Sequence, residues 1–177
     1  MSNLRLLNDT TITSGVSTVN IENVFSADFN IYKIVANNLS TVGTSQTDPD
    51  LRFISAGGSV FSASNYDYAH LIMRTDASFT EQRSTNQAQL YRFFSESVDQ
   101  SPESGSQVSY IFNPFSGSSY SFAIYQSNTA TAGVKIVMKG IGVLKNTASM
   151  TGFQVRDSNT TRPFAGGTLK TYGLRVD

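Results

Sequence analysis

The residues of this chain that could carry acid–base chemistry are few. The 177-residue sequence contains a single histidine, His70, and no cysteine, which excludes disulfides, thiolate metal sites and a cysteine nucleophile. A general base needs a positioned partner, and the nearest preceding carboxylate is Asp67. Residues three apart on a strand point to opposite faces of a sheet. We therefore predict that Asp67 and His70 do not pair, that His70 is structural or solvent-exposed, and that the chain is not an enzyme.

Carboxylates occur in two short groups that could bind a cation. Asp48 and Asp50 are separated by one residue, but the alternating oxygen ligands and the glycine of a calcium loop do not follow them. Glu96, Asp99 and Glu103 lie in a segment rich in turn-forming residues, where their simplest role is to keep a loop hydrated. The sequence therefore predicts no metal site.

Phosphate-binding motifs and basic segments are also missing from the sequence. The glycine pairs at 57–58 and 166–167 precede strand-like residues rather than the start of a helix, so we predict no nucleotide cofactor. Lys plus Arg and Asp plus Glu number 13 each, which gives a formal net charge of zero. Without a positive excess the chain has no electrostatic attraction for a phosphate backbone, and we predict no nucleic-acid partner.

Alternating tyrosines and polar residues form the remaining candidate binding site. Asn65, Tyr66, Asp67 and Tyr68 combine aromatic rings with amide and carboxylate groups, as a glycan-binding surface requires. The alternative interpretation is that the two tyrosines pack in the core or at a subunit contact. The sequence alone leaves both interpretations open.

The composition favours strands over helices. Charged residues are only 15% of the chain, and serine and threonine are abundant, whereas amphipathic helices need charged side chains on their solvent-facing side. At this length one core is enough, so we predict a single domain spanning residues 1–177. The opening residues lack a signal peptide, and no apolar run is long enough to cross a membrane, so we also predict no membrane span.

Short runs of β-branched and aromatic residues between turn-forming segments predict an all-β fold of about eight to ten strands, with little or no helix. The segments between these predicted strands show no helical periodicity, which favours a single antiparallel β-sandwich or a barrel over alternating strands and helices. Residues 78–89 lack an apolar stripe and are predicted to be a loop with at most one helical turn. The main predicted strands are 16–21, 29–36, 51–55, 66–74, 90–94, 107–113, 120–126, 134–143, 149–156 and 168–176.

Residues 148–177 are predicted to form a closing β-hairpin. Its apolar residues are expected to complete a sandwich begun by Val19, Ile21, Ile31 and Val35. The turn-rich segment 157–167 is expected to be an exposed loop, with Arg162 and Phe164 as a candidate subunit contact. The hairpin residues expected in the core are Phe153, Val155, Leu169, Leu174 and Val176.

Several segments, taken in order, resemble a β-sandwich module of virion structural proteins from tailed bacteriophages, which are often described as tail-fibre or appendage proteins. The resemblance begins at residues 11–17 (TITSGVS) and 29–35 (FNIYKIV) and covers nearly the whole chain. The later matching segments are 51–53 (LRF), 57–58 (GG), 66–69 (YDYA), 110–115 (YIFNPF), 150–155 (MTGFQV), 164–168 (FAGGT) and 171–174 (TYGL).

This resemblance implies a jelly-roll-like sandwich that assembles, commonly as a homotrimer, and binds rather than catalyses. It implies a place in the virion after synthesis in the host cytoplasm, with other virion proteins and host-surface glycans as partners. A tail fibre normally carries a long fibrous N-terminal region, which this sequence lacks. A capsid decoration (cement) protein is therefore an alternative role, and a soluble carbohydrate-binding domain is an alternative of another class.

Overall fold

The computed structural model describes residues 3–43, 49–94, 105–131, 133–158 and 162–175. These residues contain eleven strands and no helix. All the strand pairs are antiparallel, and they form one sheet of eight strands and one of three. The predicted all-β, antiparallel β-sandwich is thus confirmed, with eleven strands where about eight to ten were expected.

The strands are short to medium in length and follow one another without intervening helices. In chain order they are β1 (Leu4–Ile12), β2 (Thr18–Ile21), β3 (Ile31–Thr41), β4 (Pro49–Ser55), β5 (Tyr66–Arg74), β6 (Thr80–Gln87), β7 (Gly105–Phe112), β8 (Ser121–Thr131), β9 (Val134–Leu144), β10 (Met150–Asp157) and β11 (Phe164–Leu174). The large sheet has the order β1-β11-β3-β7-β8-β9-β5-β6, and the small sheet has the order β2-β10-β4.

Side-chain alternation in the central strands decides which face of the large sheet is buried. Along β8, Ser121, Ala123, Tyr125 and Ser127 are buried, whereas the residues between them are exposed. A strand points successive side chains to opposite faces, so this period of two fixes an inner face and an outer face. The inner face of the large sheet packs on the small sheet and on the segments that flank it.

Aromatic side chains fill the space between the sheets. Phe25 contacts Tyr32 at a ring-centroid distance of 4.7 Å, and it stacks on Phe153 of the small sheet at 5.9 Å. The buried Tyr32 hydroxyl donates a hydrogen bond to the Ser26 carbonyl and accepts one from the Ser26 amide, both at 2.8 Å. Its polar tip is therefore satisfied while its ring contributes to the core.

The predicted closing hairpin is wrong. β10 pairs with β2 and β4 in the small sheet, whereas β11 pairs with β1 and β3 in the large sheet. The chain therefore passes from the small sheet to the large sheet between β10 and β11. Phe153, Val155 and Leu169 are buried as predicted, Leu174 is only partly buried, and Val176 lies outside the described residues.

The core-facing side of β3 is the opposite of the predicted one. Tyr32, Ile34 and Ala36 are buried, whereas Ile31 and Val35 point to the outer face and are only partly covered. Both sets of alternating residues are apolar, so the pattern alone did not determine the orientation. The hydrogen bonds available to the Tyr32 hydroxyl inside the core favour the observed face.

The predicted loop at 78–89 is instead largely strand β6, at the edge of the large sheet. An edge strand can be mostly polar, because one side is solvated and charged side chains protect it from pairing with other molecules. Residues 90–94, predicted as a strand, make a bridge and a turn. Leu90 and Leu51 exchange two backbone hydrogen bonds, of 2.9 and 3.1 Å, which place this segment beside β4.

We expect Gly152→Ala to destabilise the fold, because a Cβ atom at Gly152 would lie 2.2 Å from the backbone oxygen of Ile21. Overpacking against a backbone that cannot rotate away costs about 1–3 kcal/mol, measurable as a lower free energy of unfolding in urea. Gly166→Ala is the matched control, since a Cβ atom at Gly166 would have no other atom within 4 Å and the backbone conformation there suits any residue. Equal stability of the two variants would contradict this close packing of β10 against β2.

Candidate functional site

The structure separates the four residues of the predicted glycan contact. Tyr66 is completely buried, and its hydroxyl accepts a hydrogen bond from the Phe53 amide at 3.0 Å and donates one to the Phe61 carbonyl at 2.8 Å. Tyr68 is also buried, and its ring stacks on His70 at 5.7 Å. Both tyrosines therefore pack in the core, as the alternative interpretation had it, and their rings cannot stack on a sugar.

Asn65 and Asp67 remain partly exposed but are engaged within the protein. The Asn65 side-chain amide donates to the Lys145 carbonyl at 3.1 Å. Asp67 points to the outer face, pairs with the Lys145 ammonium group at 2.9 Å and accepts a 2.8 Å hydrogen bond from the Asn86 amide. The prediction that Asp67 and His70 lie on opposite faces is confirmed, because the strand alternates as expected.

The candidate subunit contact at Arg162 and Phe164 also needs correction. Phe164 is completely buried, and its backbone amide donates a 2.7 Å hydrogen bond to the Val16 carbonyl. It begins β11 and belongs to the hydrophobic core, so its ring cannot contact a neighbouring subunit. Arg162 is partly exposed. Asp157, at the other end of the predicted exposed loop, is buried as well.

His70 lies in the protein interior, in a row of contacting side chains from β8, β5 and β6. The Tyr125 hydroxyl is 3.3 Å from His70 Nδ1, and His70 Nε2 is 3.0 Å from Gln82 Oε1. Tyr125 reaches His70 because β9 contributes Gly140 between them, and any Cβ there would overlap the Tyr125 ring. Burial raises the pKa of Tyr125, which keeps its phenol protonated.

These contacts define the protonation of a neutral His70 ring. Gln82 Oε1 can only accept, so these contacts fit the tautomer in which His70 Nε2 carries the proton and Nδ1 accepts from the Tyr125 hydroxyl. The arrangement holds the imidazole ring in place through both nitrogens. It joins β5, β6 and β8 by side chains, in addition to the backbone ladder.

Asp50 is a buried carboxylate whose pKa is strongly shifted. Its side chain is completely buried, Oδ2 lies 3.2 Å from Arg156 Nη2, and Oδ1 accepts a 3.3 Å hydrogen bond from the Arg92 amide. Burial raises the pKa of Asp50 from 3.8 to about 6, although Arg156 and Arg52 oppose the shift. Desolvation thus outweighs ion pairing at this site.

Of the two carboxylate groups considered as cation sites, only Asp50 lies in the part of the chain that the structure describes. No group of three or more His, Cys, Asp or Glu side chains there could hold a metal ion. Asp48 and the acidic residues Glu96, Asp99 and Glu103 lie outside the described residues. Asp50 has protein partners of its own.

A wide concavity of about 1060 Å³ lies on the large sheet, lined by residues of β3, β7, β8, β9, β5 and β6. An adjoining concavity of about 740 Å³ continues towards the other end of the strands and shares Ala69, Arg83, Ile124 and Ile141 with the first. Most of the lining side chains occupy the exposed positions of the alternating strands. We call this surface, which comprises the outward residues of these six strands, the outer face.

The centre of the outer face is apolar and exposed. Ile141 is 60% exposed, Phe122 is 46%, Ile124 is 45% and Val108 is 39%. An antiparallel sheet with one solvated face normally carries polar residues there, and contiguous exposed apolar patches mark interaction sites. Charged residues surround this centre, among them Lys33, Lys139, Lys170, Glu81 and Arg83.

The sequence carried a signal for this surface that the search for catalytic and sugar-binding residues missed. Residues 122–125 of β8 are apolar or aromatic at every position, so both faces of that strand are apolar. One face is explained by the core, in which Ala123 and Tyr125 are buried. The other face, with Phe122 and Ile124, required a second explanation.

Comparisons of the chain with protein-family models, curated proteins and solved structures found no match. The described residues also include no helix long and apolar enough to cross a membrane. The geometry of the chain itself is therefore the basis for a functional proposal.

We expect the free energy of unfolding to depend on pH through Asp50. Because the folded-state pKa lies above 3.8, protonated Asp50 stabilises the fold at pH below 3.8, and this contribution is lost as the pH rises through about 6. The free energy of unfolding of Asp50→Asn, relative to that of the wild type, should therefore be about 1–3 kcal/mol higher at about pH 8 than at about pH 3.5. Urea unfolding of both proteins at these two pH values measures this change.

Asp76→Asn is the control for this measurement. Asp76 is exposed, and its hydrogen bond with Arg74 lowers the pKa of its carboxyl, so any change with pH has the opposite sign. If wild type and Asp50→Asn differ in stability by the same amount at both pH values, the stability of the fold does not depend on the protonation of Asp50.

Proposed function

We propose that this chain is a non-enzymatic structural protein of a tailed-phage virion, an oligomeric appendage module that assembles through its outer face. The exposed apolar centre of that face carries the proposal, because burial of such a surface drives association. The chain-long resemblance of segments such as 150–155 and 171–174 to phage virion modules supports the particular role.

The charge balance of the chain fits a protein that assembles. A formal net charge of zero removes the long-range repulsion that keeps like molecules apart. The charged residues on the outer face have both signs, with Glu81 and Arg83 on β6 and Lys33 on β3. A partner surface can therefore meet apolar side chains at the centre and opposite charges at the edges.

A carbohydrate-binding domain is the second candidate function, and the concavity on the outer face favours it. The concavity presents the Tyr110 ring together with the amide groups of Gln126 and Asn128 and the ammonium group of Lys139. An aromatic face beside hydrogen-bonding groups suits a sugar ring. The aliphatic side chains of Ile124 and Ile141 at the centre suit a protein partner better.

The proposed virion role predicts that the protein is found in purified phage particles. We expect mass spectrometry of gradient-purified particles to detect the chain, and electron microscopy of gene-deleted particles to show density lost from the tail or baseplate. Density lost from the capsid surface would instead identify a decoration protein. Absence of the chain from particles that contain all other structural proteins would refute the virion role.

A glycan array distinguishes the second candidate. If the outer face binds sugars, wild-type protein should bind defined glycans, and Tyr110→Ala should weaken that binding by about tenfold through loss of the stacking ring. Val42→Ala, a change at an exposed residue that does not line the concavity, should leave binding unchanged. Failure of the wild type to bind any glycan would remove this candidate.

A further inference from the structure

We propose that two copies of this chain pack outer face to outer face, about a twofold axis that runs parallel to the strands along β8. This inference rests on the proposed function, which is assembly through the outer face, and it adds which surfaces meet and with what symmetry. It replaces the expected trimer by an isologous dimer, in which the same surface serves both subunits.

The position of the axis follows from the location of the apolar centre. In register across the sheet, Tyr110, Ile124 and Ile141 form one outward row on β7, β8 and β9. Phe112, Phe122 and Val143 form the neighbouring row on the same three strands. Since β8 is the middle strand of both rows, an axis along β8 places the apolar centre of one copy on that of the other.

This axis matches apolar residues with apolar residues. It puts β8 over β8 of the partner, so that Phe122 and Ile124 meet their own counterparts. It puts β9 over β7, so that Ile141 lies opposite Tyr110 and Val143 lies opposite Phe112. Two sheets also pack with aligned strands in ordinary β-sandwiches.

The same axis brings opposite charges together at the edges. Glu81 and Lys170 belong to one outward row, which crosses the sheet through Leu71, Lys139 and Val35. Glu81 is three strands from β8 on one side, and Lys170 is three strands from β8 on the other. The twofold rotation therefore places Glu81 of each copy opposite Lys170 of its partner, where Lys170 also pairs with Asp9 of its own chain at 3.0 Å. Lys139 falls opposite Val108, along which its aliphatic stem can pack.

The size of the surface is sufficient for a stable dimer. With the axis along β8, the seven strands from β11 to β6 meet their counterparts. Spaced about 4.8 Å apart, with about eight residues each, they give a face of roughly 890 Å². Specific interfaces bury about 800 Å² on each partner. The edge strand β1 offers a poorer route to association, because the bulge between Leu6 and Asn8 interrupts its backbone pattern.

The test is the mass of the purified full-length chain at tens of micromolar, measured by sedimentation equilibrium. We expect twice the 19.2 kDa of one chain. Ile124→Lys should raise the dimer dissociation constant by about 100-fold, because it places two ammonium groups at the axis. Val42→Lys is the matched control, since Val42 is 41% exposed and does not line the outer face. Circular dichroism should show the same fold in all variants.

A charge-swap series tests the register. The series is made in an Asp9→Asn background, which removes the carboxylate that pairs with Lys170 in its own chain. There, Glu81→Lys alone and Lys170→Glu alone should each weaken the dimer about tenfold, and the double variant should restore it. Lack of restoration would refute the axis along β8.

Other outcomes overturn the dimer in distinguishable ways. A wild-type dimer that Ile124→Lys leaves intact refutes the outer face as the interface, and a trimeric mass refutes the twofold axis. A wild-type monomer that is nevertheless incorporated into particles refutes self-pairing, leaves the virion role standing and makes another particle protein the occupant. A wild-type dimer absent from particles supports the interface and refutes the virion role.

Discussion

A sheet of eight strands that packs against a sheet of three has a larger apolar surface than the smaller sheet can cover. Much of this structure follows from that difference in size. On the inner face, the short segment around residues 90–94 extends the cover. Leu90 bonds to β4 through its backbone, and Phe93 packs on Tyr125 with ring centroids 4.6 Å apart. On the outer face nothing in the chain performs this role among the described residues, and Ile141 and Phe122 remain exposed.

Sequence reasoning predicted the all-β fold because alternation and turn residues are local properties. It could not predict strand pairing, which joins residues far apart in the chain. β10 and β11 are consecutive and were expected to pair, yet each finds its partners elsewhere. The polar edge strand β6 was missed for a related reason, since a strand held by one neighbour needs little apolar character.

At the predicted glycan-binding site, the sequence likewise did not determine which way the side chains point. Tyr66 and Tyr68 have the chemistry of a sugar-binding surface, and only their inward orientation excludes it. Orientation on β3 was equally undetermined, because Ile31 and Val35 are as apolar as the residues that are buried. The outer face could have been inferred from β8, where apolar residues at successive positions serve two surfaces, but one sequence does not say which other strands lie beside it.

The crossing between β10 and β11 constrains how the chain is made. β1 has β11 as its strand partner in the described structure, and β2 has β10. Both early strands must therefore wait, during synthesis, until residues 150–174 have left the ribosome. Folding dominated by such distant pairings is slow, and the unpaired early strands are open to misassociation meanwhile. A chain that ended before residue 150 would therefore lack the strands that β1 and β2 pair with, and it could complete neither sheet.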